Sequence, residues 1–174
     1  MQLLKAETQH LDQMTELVDM ARVQIKRLGF NQWQTGYPPK ELLEEDIRQG
    51  RAFLAEEGGI IMGMFVYQTF PDPSYAQIDG RWLTEGDDYA SVHRVCVSDA
   101  CKGRGVAGWM MAQAFSMARQ DRFCSVRIDT HEENLPMQRA LSKAGFQRCG
   151  VIRLIGGPED GDPRIAFEMV LTKA

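Results

Sequence analysis

One segment near the middle of the chain constrains the fold more than any other. The strand-like run Val95–Val97 is followed by the glycine-rich turn Lys102–Gly105, and helical periodicity begins directly after it. Glycines in such a turn allow positive φ angles and let a ligand approach the main chain closely. The first N–H groups of the helix have no acceptor within it, and the helix dipole favours negative charge there. The segment therefore predicts a phosphate or pyrophosphate site, to which Lys102 and Arg104 add positive charge.

Length and composition predict one globular domain over residues 1–174. Of the 174 residues 44% are hydrophobic and 25% are charged, as in an average soluble protein. The longest apolar run, near Ile60–Tyr67, is far shorter than the ~18 residues that a membrane span needs. The first residues lack the apolar stretch of a signal peptide, and we therefore expect a cytoplasmic protein.

Charge and cysteine content exclude several classes of partner. The chain has 20 basic and 24 acidic residues and a formal net charge of −4, which argues against a general nucleic-acid binder, and no membrane partner is expected. Its cysteines form no Cys-x-x-Cys pair and have no paired histidines near them, so we expect reduced, mostly buried thiols and no metal site. These cysteines are Cys96, Cys101, Cys124 and Cys149.

The order of the predicted elements favours an α/β (α+β) fold. Strands come first, then a strand–helix–strand–helix unit with a parallel crossover, then two strands. The predicted strands are Gln2–Ala6, Arg51–Glu56, Ile60–Tyr67, Ser91–Val97, Phe123–Asp129, Gln147–Ile152 and Arg164–Leu171. The predicted helices run from an N-cap at Thr8 to Gly29, over Lys40–Gln49, from Gly105 onwards and over Leu135–Lys143. An aromatic loop, Phe30–Pro39, and an irregular excursion, Pro71–Tyr89, lie between them.

The glycine-rich turn fits more than one class of phosphate site. The Gly-Lys-Ser/Thr ending of a Walker loop is absent. The spacing of Gly103, Gly105 and Gly108 matches the dinucleotide pattern Gly-x-Gly-x-x-Gly, and Asp129 follows the next strand. Against that pattern, Ser98–Lys102 separate the strand from the first glycine. A nicotinamide-dependent oxidoreductase stays open as an alternative.

Two motifs resemble those of the GNAT superfamily of N-acetyltransferases. Lys102–Ala107 is similar to the family's pyrophosphate loop, [Gln/Arg]-x-x-Gly-x-[Gly/Ala], with Lys102 where the family usually has Gln or Arg. Asn134–Phe146 resembles the second segment that contacts coenzyme A, in which an Asn opens a helix that ends in Gly-Phe. The resemblance implies a GNAT fold. This fold is a mixed, mostly antiparallel sheet of six to seven strands, flanked by about four helices and splayed between the strands that end at Val97 and Asp129.

The same resemblance implies acetyl-CoA as co-substrate and assigns residues to it. Val95 and Val97 would lend main-chain groups to pantetheine, and Asn134 would contact CoA, cap its helix, or do both. The pyrophosphate would be held by Lys102 and by the N–H groups of Gly103, Arg104, Gly105, Val106 and Ala107.

Acetyl transfer to a primary amine needs a base for the amine and a proton for the departing thiolate. The tyrosine that supplies this proton in many GNAT enzymes would fall at Leu141, so the sequence leaves the general acid unidentified. Tyr37, Tyr67, Tyr75 and Tyr89 stay open as acids. A non-catalytic acetyl-CoA-binding module of the same fold is the alternative to an enzyme.

His93 is the candidate base, because it precedes Val95 by two residues on the strand that leads to the loop and titrates near neutral pH. A merely hydrogen-bonded strand histidine is the other interpretation. His131 is interpreted as a solvated loop residue or a proton shuttle. The acidic run of Asp129, Glu132 and Glu133 is interpreted as a solvated loop end.

The resemblance implies that the two irregular segments, both rich in aromatic residues, border the acceptor site. Trp33, Tyr37 and Trp82, with Tyr75 nearby, could hold a cationic amine there, helped by acids in or near those segments. Packing of Trp33 and Trp82 over the sheet is the other interpretation. These acids are Glu41, Glu44, Glu45, Asp87 and Asp88. The expected partner is a small-molecule or peptide amine, and the family is compatible with a homodimer.

Overall fold

The computed structural model describes residues 1–171, which form four α-helices and eight strands of one sheet. The strand order is β1-β2-β3-β5-β6-β8-β7-β4. The strands are β1 (Gln2–Lys5), β2 (Ala52–Glu57), β3 (Ile60–Gln68), β4 (Asp79–Gly80), β5 (Tyr89–Val97), β6 (Ser125–Thr130), β7 (Gln147–Arg153) and β8 (Pro163–Val170). The helices are α1 (Leu11–Leu28), α2 (Lys40–Arg48), α3 (Val106–Gln120) and α4 (Leu135–Lys143).

The sheet is antiparallel except at its centre, where β5 and β6 run parallel and then part. Their pairing covers Tyr89 to Ser91 on β5 and ends at the pair Ser91–Arg127. The second half of β5 therefore has no partner on its β6 side, whereas β6 stays paired with β8 along its whole length. The splay predicted between these two strands is confirmed, and it opens a cleft in the middle of the sheet.

A bulge in β5 lies at the start of this cleft. Met64 of β3 faces Cys96, whereas Val66 faces His93, so two residues of β5 stand opposite a single residue of β3. One of these two, Arg94, has a φ angle of 51°, which a side chain rarely adopts. A bulge turns side chains away from the regular alternation of a strand. In β5 it directs the Arg94 side chain toward α2.

Helices pack on both faces of the sheet. Met64 and Val66 pack with α1 and α2 on one face, whereas Phe65 and Tyr67 pack with α3 and α4 on the other. This alternation is what a strand buried on both sides requires. Both faces of β3 and β5 are therefore fixed by packed core, and the open end of β5 is held rigidly.

The sheet has one strand more than the predicted range of six to seven. The added strand, β4, lies inside the segment expected to be irregular and pairs with Gly150 and Val151 at the edge of the sheet. Two residues are too short to produce an alternating pattern. The first helix also differs, because residues Thr8–His10 form a 3₁₀ turn and the α-helix begins at Leu11.

Candidate active site

The glycine-rich turn has the backbone geometry that an anion site requires. Gly103 and Gly105 have φ angles of 77° and 78°, and Gly105 is the N-cap of α3. A Cβ atom at either position would meet no other atom within 4 Å, so backbone conformation rather than crowding calls for glycine there. The two glycines turn the chain sharply enough to present the start of α3 to solvent.

Of the six successive amides from Gly103 to Gly108, five are free to bind a ligand. Within residues 1–171 no hydrogen-bond acceptor serves the N–H groups of Gly103, Gly105, Val106, Ala107 and Gly108. The Arg104 N–H, which was predicted to join the cradle, donates instead to the carbonyl of Cys101 at 3.3 Å. The remaining donors and the helix dipole suit a diphosphate.

The two cations of the turn are engaged with surface carboxylates. Lys102 Nζ lies 2.6 Å from Asp99, and Arg104 Nη2 lies 2.7 Å from Glu57. Both pairs are largely exposed, so each contributes little to stability and either cation is free to change partner. Lys102, unlike Arg104, also lines a large cleft beside the turn.

A cleft of about 850 Å³ extends from the start of α3, through the splay, to the aromatic loop. It joins segments that lie far apart in the chain. Of the predicted site residues, those that line it are Trp33, Tyr37, His93, Val95, Val97, Lys102, Ala107 and Asn134. Gly103, Arg104, Gly105 and Val106 lie on the turn between Lys102 and Ala107, at one end of the cleft.

Asn134 caps α4 and also lies on the cleft. Its Oδ1 accepts from the Met137 N–H at 3.2 Å, and its Nδ2 donates to Gln32 of the aromatic loop at 3.0 Å. Farther along the same helix, Leu141 is fully buried in the core between α3 and the sheet. The position at which the resemblance implied a tyrosine therefore holds a core leucine, which supplies no proton donor.

The structure places His93 at the floor of the cleft, largely buried. Its Nε2 lies 2.9 Å from the Ser91 hydroxyl and 3.4 Å from Asp72, and its ring stacks with Tyr75. Burial lowers the pKa of His93 to about 4, assisted by the positive charge of Arg94. The imidazole is therefore neutral at physiological pH and is a weak base.

The interpretation of Asp129 as part of a solvated loop end is wrong. Asp129 lies on β6 at the cleft, and its Oδ1 accepts a 2.8 Å hydrogen bond from the buried hydroxyl of Tyr75. Burial raises the pKa of Asp129 to about 6, although the Tyr75 hydrogen bond opposes this shift. Glu132 and Glu133 are exposed, as expected. The position of Asp129 at the carboxyl end of a parallel strand is the sequence signal that could have identified it as a site residue.

A second group that sequence reasoning missed is a buried charge cluster beside the cleft. Arg94 lies 2.7 Å and 2.9 Å from the two carboxylate oxygens of Asp46, which is fully buried, and Arg51 Nε lies 2.6 Å from Asp46. Arg94 also donates to the hydroxyl of Tyr37 at 2.8 Å. One carboxylate thus holds two cations in place, and the cluster fixes Tyr37 in the wall of the cleft.

The aromatic loop is tethered to the loop that connects β7 and β8. The backbone N–H of Trp33, whose φ angle is 64°, donates to the buried carboxylate of Glu159 at 2.5 Å. Glu159 is in turn paired with Arg164 at 2.9 Å. This tether holds Trp33 and Tyr37 over the cleft, with their ring centres 6.2 Å apart.

Trp82 and His131 lie outside the lining of this cleft. Trp82 packs on Tyr75 and on the guanidinium of Arg127, 4.3 Å from its ring centre, in a separate cluster. His131 stacks on Phe30 with ring centres 4.9 Å apart, and its Nδ1 accepts from the Glu133 N–H. Both positions are those of packing residues.

The described residues show no group of three or more His, Cys, Asp or Glu side chains suited to a metal ion. The four cysteines carry free thiols, of which Cys96 and Cys101 are buried. Within residues 1–171 no helix has both the length and the apolar character required to cross a bilayer.

Comparison with known proteins agrees with this geometry. The profile of the acetyltransferase (GNAT) family matches residues 14–146, and the chain belongs to this family. A GNAT-family acetyltransferase from Streptococcus agalactiae has 31% sequence identity and a TM-score of 0.87, with 99% of this chain and 96% of that one covered. No match was found among curated proteins.

More distant solved structures share the fold. A GNAT-family acetyltransferase from Listeria monocytogenes has 21% identity and a TM-score of 0.71, over 98% of this chain and 94% of that one. A ribosomal-protein-alanine N-acetyltransferase from Brucella melitensis has 16% identity and a TM-score of 0.66, over 98% and 100%. The GNAT fold predicted from the two sequence motifs is therefore confirmed.

Proposed function

We propose that this protein is an acetyl-CoA-dependent N-acetyltransferase that transfers the acetyl group directly to a primary amine of a small molecule or peptide. The observation that carries the proposal is the row of free amides at the start of α3, which opens into a cleft in the splayed sheet. Membership of the GNAT family supports the same donor.

The end of the cleft at the start of α3 suits acetyl-CoA. The free amides of Gly103 and of Gly105 to Gly108 suit the pyrophosphate. The unpaired edge of β5 around Val95 and Val97 suits the pantetheine arm. Acetyl-CoA, when bound, supplies an activated thioester carbonyl. Holding both reactants in one cleft contributes to the rate by orientation alone.

Asp129 is better suited than His93 to act as the base. A carboxylate with a pKa of about 6 is ionised at pH 7 to 8, and it accepts a proton more readily than an imidazole with a pKa of about 4. One oxygen of Asp129 is held by Tyr75, so the carboxylate is oriented. We assign His93 a secondary role: its neutral imidazole would form hydrogen bonds beside the acceptor.

The acceptor end of the cleft combines aromatic surface with carboxylates. Trp33, Tyr37 and Phe70 line it together with Asp72 and Asp129. Two arginines, Arg51 and Arg94, line it as well, and both are paired with the buried carboxylate of Asp46. Aromatic faces and carboxylates both attract an ammonium group, which must then lose a proton to become a nucleophile. This combination supports an amine acceptor, with Trp33 and Tyr37 among the residues that contact it.

A covalent acetyl-cysteine intermediate is not part of the proposal. Cys96 is the cysteine of residues 1–171 that lines the cleft, but its side chain is buried and burial raises its thiol pKa to about 12. A thiol in that state carries almost no thiolate at neutral pH. Direct transfer between the two substrates fits the cleft better.

The pH dependence of the reaction tests the assignment of the base. We expect the D129N variant to lose about 10²-fold or more in kcat/KM at pH 8, because Asn keeps the Tyr75 hydrogen bond but cannot take a proton. The difference between the unchanged protein and D129N should shrink as the pH falls through about 6, where Asp129 becomes protonated. The measurement is thiol release from acetyl-CoA with a panel of primary amines that begins with 2-phenylethylamine.

The H93Q variant is the matched comparison for this experiment. If His93 is the base, H93Q gives the larger loss, and its difference from the unchanged protein persists until the pH falls to about 4. A protein that binds acetyl-CoA but releases no thiol with any amine would instead be the non-catalytic binding module, and the proposal would be wrong.

A further inference from the structure

The hydroxyl of Tyr37 accepts a hydrogen bond from Arg94 and has no role in the proposed function so far. Its oxygen accepts from Arg94 Nη1 at 2.8 Å, and within residues 1–171 its own hydrogen has no acceptor. Tyr37 is also the one tyrosine of residues 1–171 that lines the cleft. By contrast, the hydroxyls of Tyr67 and Tyr75 donate to Asp121 and Asp129. The Tyr37 hydrogen is thus available to a ligand.

Arg94 fixes the direction of that hydrogen. The guanidinium is held at 2.7 Å and 2.9 Å by the two oxygens of Asp46, and its side chain is only 8% exposed. Because guanidinium nitrogens can only donate, Arg94 occupies a lone pair of the Tyr37 oxygen and leaves the hydrogen to point elsewhere. The same cation would stabilise a tyrosinate formed at this position.

We infer that Tyr37 is the general acid that protonates the departing CoA thiolate, an inference that rests on the proposed function. Arg94 lies in the β5 bulge, next to Val95 at the unpaired strand edge proposed for pantetheine. Tyr37 and Val95 both line the cleft, and the residue that holds the Tyr37 hydroxyl, Arg94, directly precedes Val95. This places the acid on the aromatic loop rather than on α4, where Leu141 is buried in the core.

The proton balance of the step is complete without a further reactant. The amine nitrogen forms a bond to the acetyl carbon, the carbon–sulfur bond breaks, and its electron pair stays on sulfur. The Tyr37 hydrogen moves to that sulfur, and the amine proton moves to Asp129. Return of a proton from Asp129 to Tyr37 through solvent restores both groups, so that an amide and a thiol are the products.

Burial keeps Tyr37 protonated before the reaction. It raises the pKa of Tyr37, and although the positive charge of Arg94 and its hydrogen bond oppose this shift, the carboxylates of Asp129 and Asp46 add smaller shifts upward. The hydroxyl therefore carries its hydrogen throughout the physiological range, as a general acid must.

A binding experiment tests this role without any acceptor amine. The probes are CoA and dethio-CoA, which lacks the thiol sulfur, titrated calorimetrically into the unchanged protein and into the Y37F variant at pH 7 and pH 9.5. A hydrogen bond from Tyr37 stabilises the bound thiolate, so the preference for CoA over dethio-CoA should rise with pH. We expect this rise to be about tenfold larger in the unchanged protein than in Y37F.

Kinetics with 2-phenylethylamine provide the second measurement. Y37F should lower kcat by about 10²-fold while leaving the KM for acetyl-CoA within threefold. Y67F is the matched control. It removes the hydroxyl of a tyrosine outside the cleft, which donates to Asp121, and should leave kcat within twofold.

The outcomes separate the two proposals. If CoA and acetyl-CoA fail to bind the unchanged protein, the proposed function is wrong. If they bind and the preference for CoA rises equally with pH in both proteins, the proposed function stands and the assignment of Tyr37 is wrong.

Discussion

At the scale of single residues, the proposed chemistry depends on a carboxylate, Asp129, that the sequence analysis interpreted as part of a solvated loop end. Asp129 sits in an acidic run that resembles an ordinary loop, and its burial follows from Tyr75 packing beneath it from a segment more than fifty residues away. The environment of a titratable group is a property of the folded chain. His93 shows the same limit, because sequence alone suggests an ordinary histidine, whereas burial lowers its pKa to about 4.

The ionised carboxylate of Asp129 should lower the free energy of unfolding at the pH at which we propose that it acts as a base. Its pKa is about 6 in the folded protein and 3.8 in a model peptide, so the folded state binds the proton more tightly. The stability that protonation gives is fully present below pH 3.8 and is lost as the pH rises through 6. D129N should therefore be more stable relative to the unchanged protein at pH 7.5 than at pH 3.5. The difference should be about 2 kcal/mol, because the carboxyl faces the open cleft and two pKa units are worth at most about 3 kcal/mol.

Chemical denaturation of both proteins at the two pH values measures this difference. H93Q provides a control of opposite sign, because a lowered histidine pKa costs stability as the pH falls from 6.5 toward 4. Equal stability differences for D129N at pH 3.5 and pH 7.5 would show that Asp129 is not buried as described.

At the scale of elements, the sequence predicted most of the regular structure and the glycine-rich turn before α3. Helix α4 has the predicted bounds, Leu135–Lys143, because its apolar spacing, its Asn cap and Gly145 all agree. The bulge at Arg94 and the tether from Trp33 to Glu159 escaped prediction. A bulge leaves no pattern in the residue types of its own strand, and a tether joins residues that only the fold brings together.

The glycine-rich turn allows a prediction that separates binding from stability. G105V should weaken acetyl-CoA binding by at least tenfold, because it strains the backbone that presents the amides and places a branched side chain beside them. G58V, in the β2–β3 hairpin, is the matched control, since Gly58 also has a positive φ angle (63°) and open space around its Cβ position. Both variants should lose similar stability, of the order of 1 kcal/mol. Calorimetry that finds equal affinities in the two variants would contradict the role of the turn.

At the scale of the whole molecule, the order of the strands brings segments that are separate in the sequence together at one cleft. The parallel pair β5–β6 brings Asp129 opposite the free edge of β5, and the antiparallel strands around it keep that edge open. The two GNAT motifs predicted this arrangement and indicated the end of the cleft that we propose for acetyl-CoA. They did not predict how the other end is built, because Tyr37, Arg94 and Asp129 come from three segments whose proximity depends on long-range packing.

The central claim is that the amides at the start of α3 bind the diphosphate of acetyl-CoA. Isothermal titration of the unchanged protein with acetyl-CoA, and separately with NAD, tests it most directly. We predict saturable, one-to-one binding of acetyl-CoA with a Kd in the micromolar range, about −8 kcal/mol, and no saturable binding of NAD. Absence of acetyl-CoA binding below millimolar concentration, or tighter binding of NAD, would contradict the account.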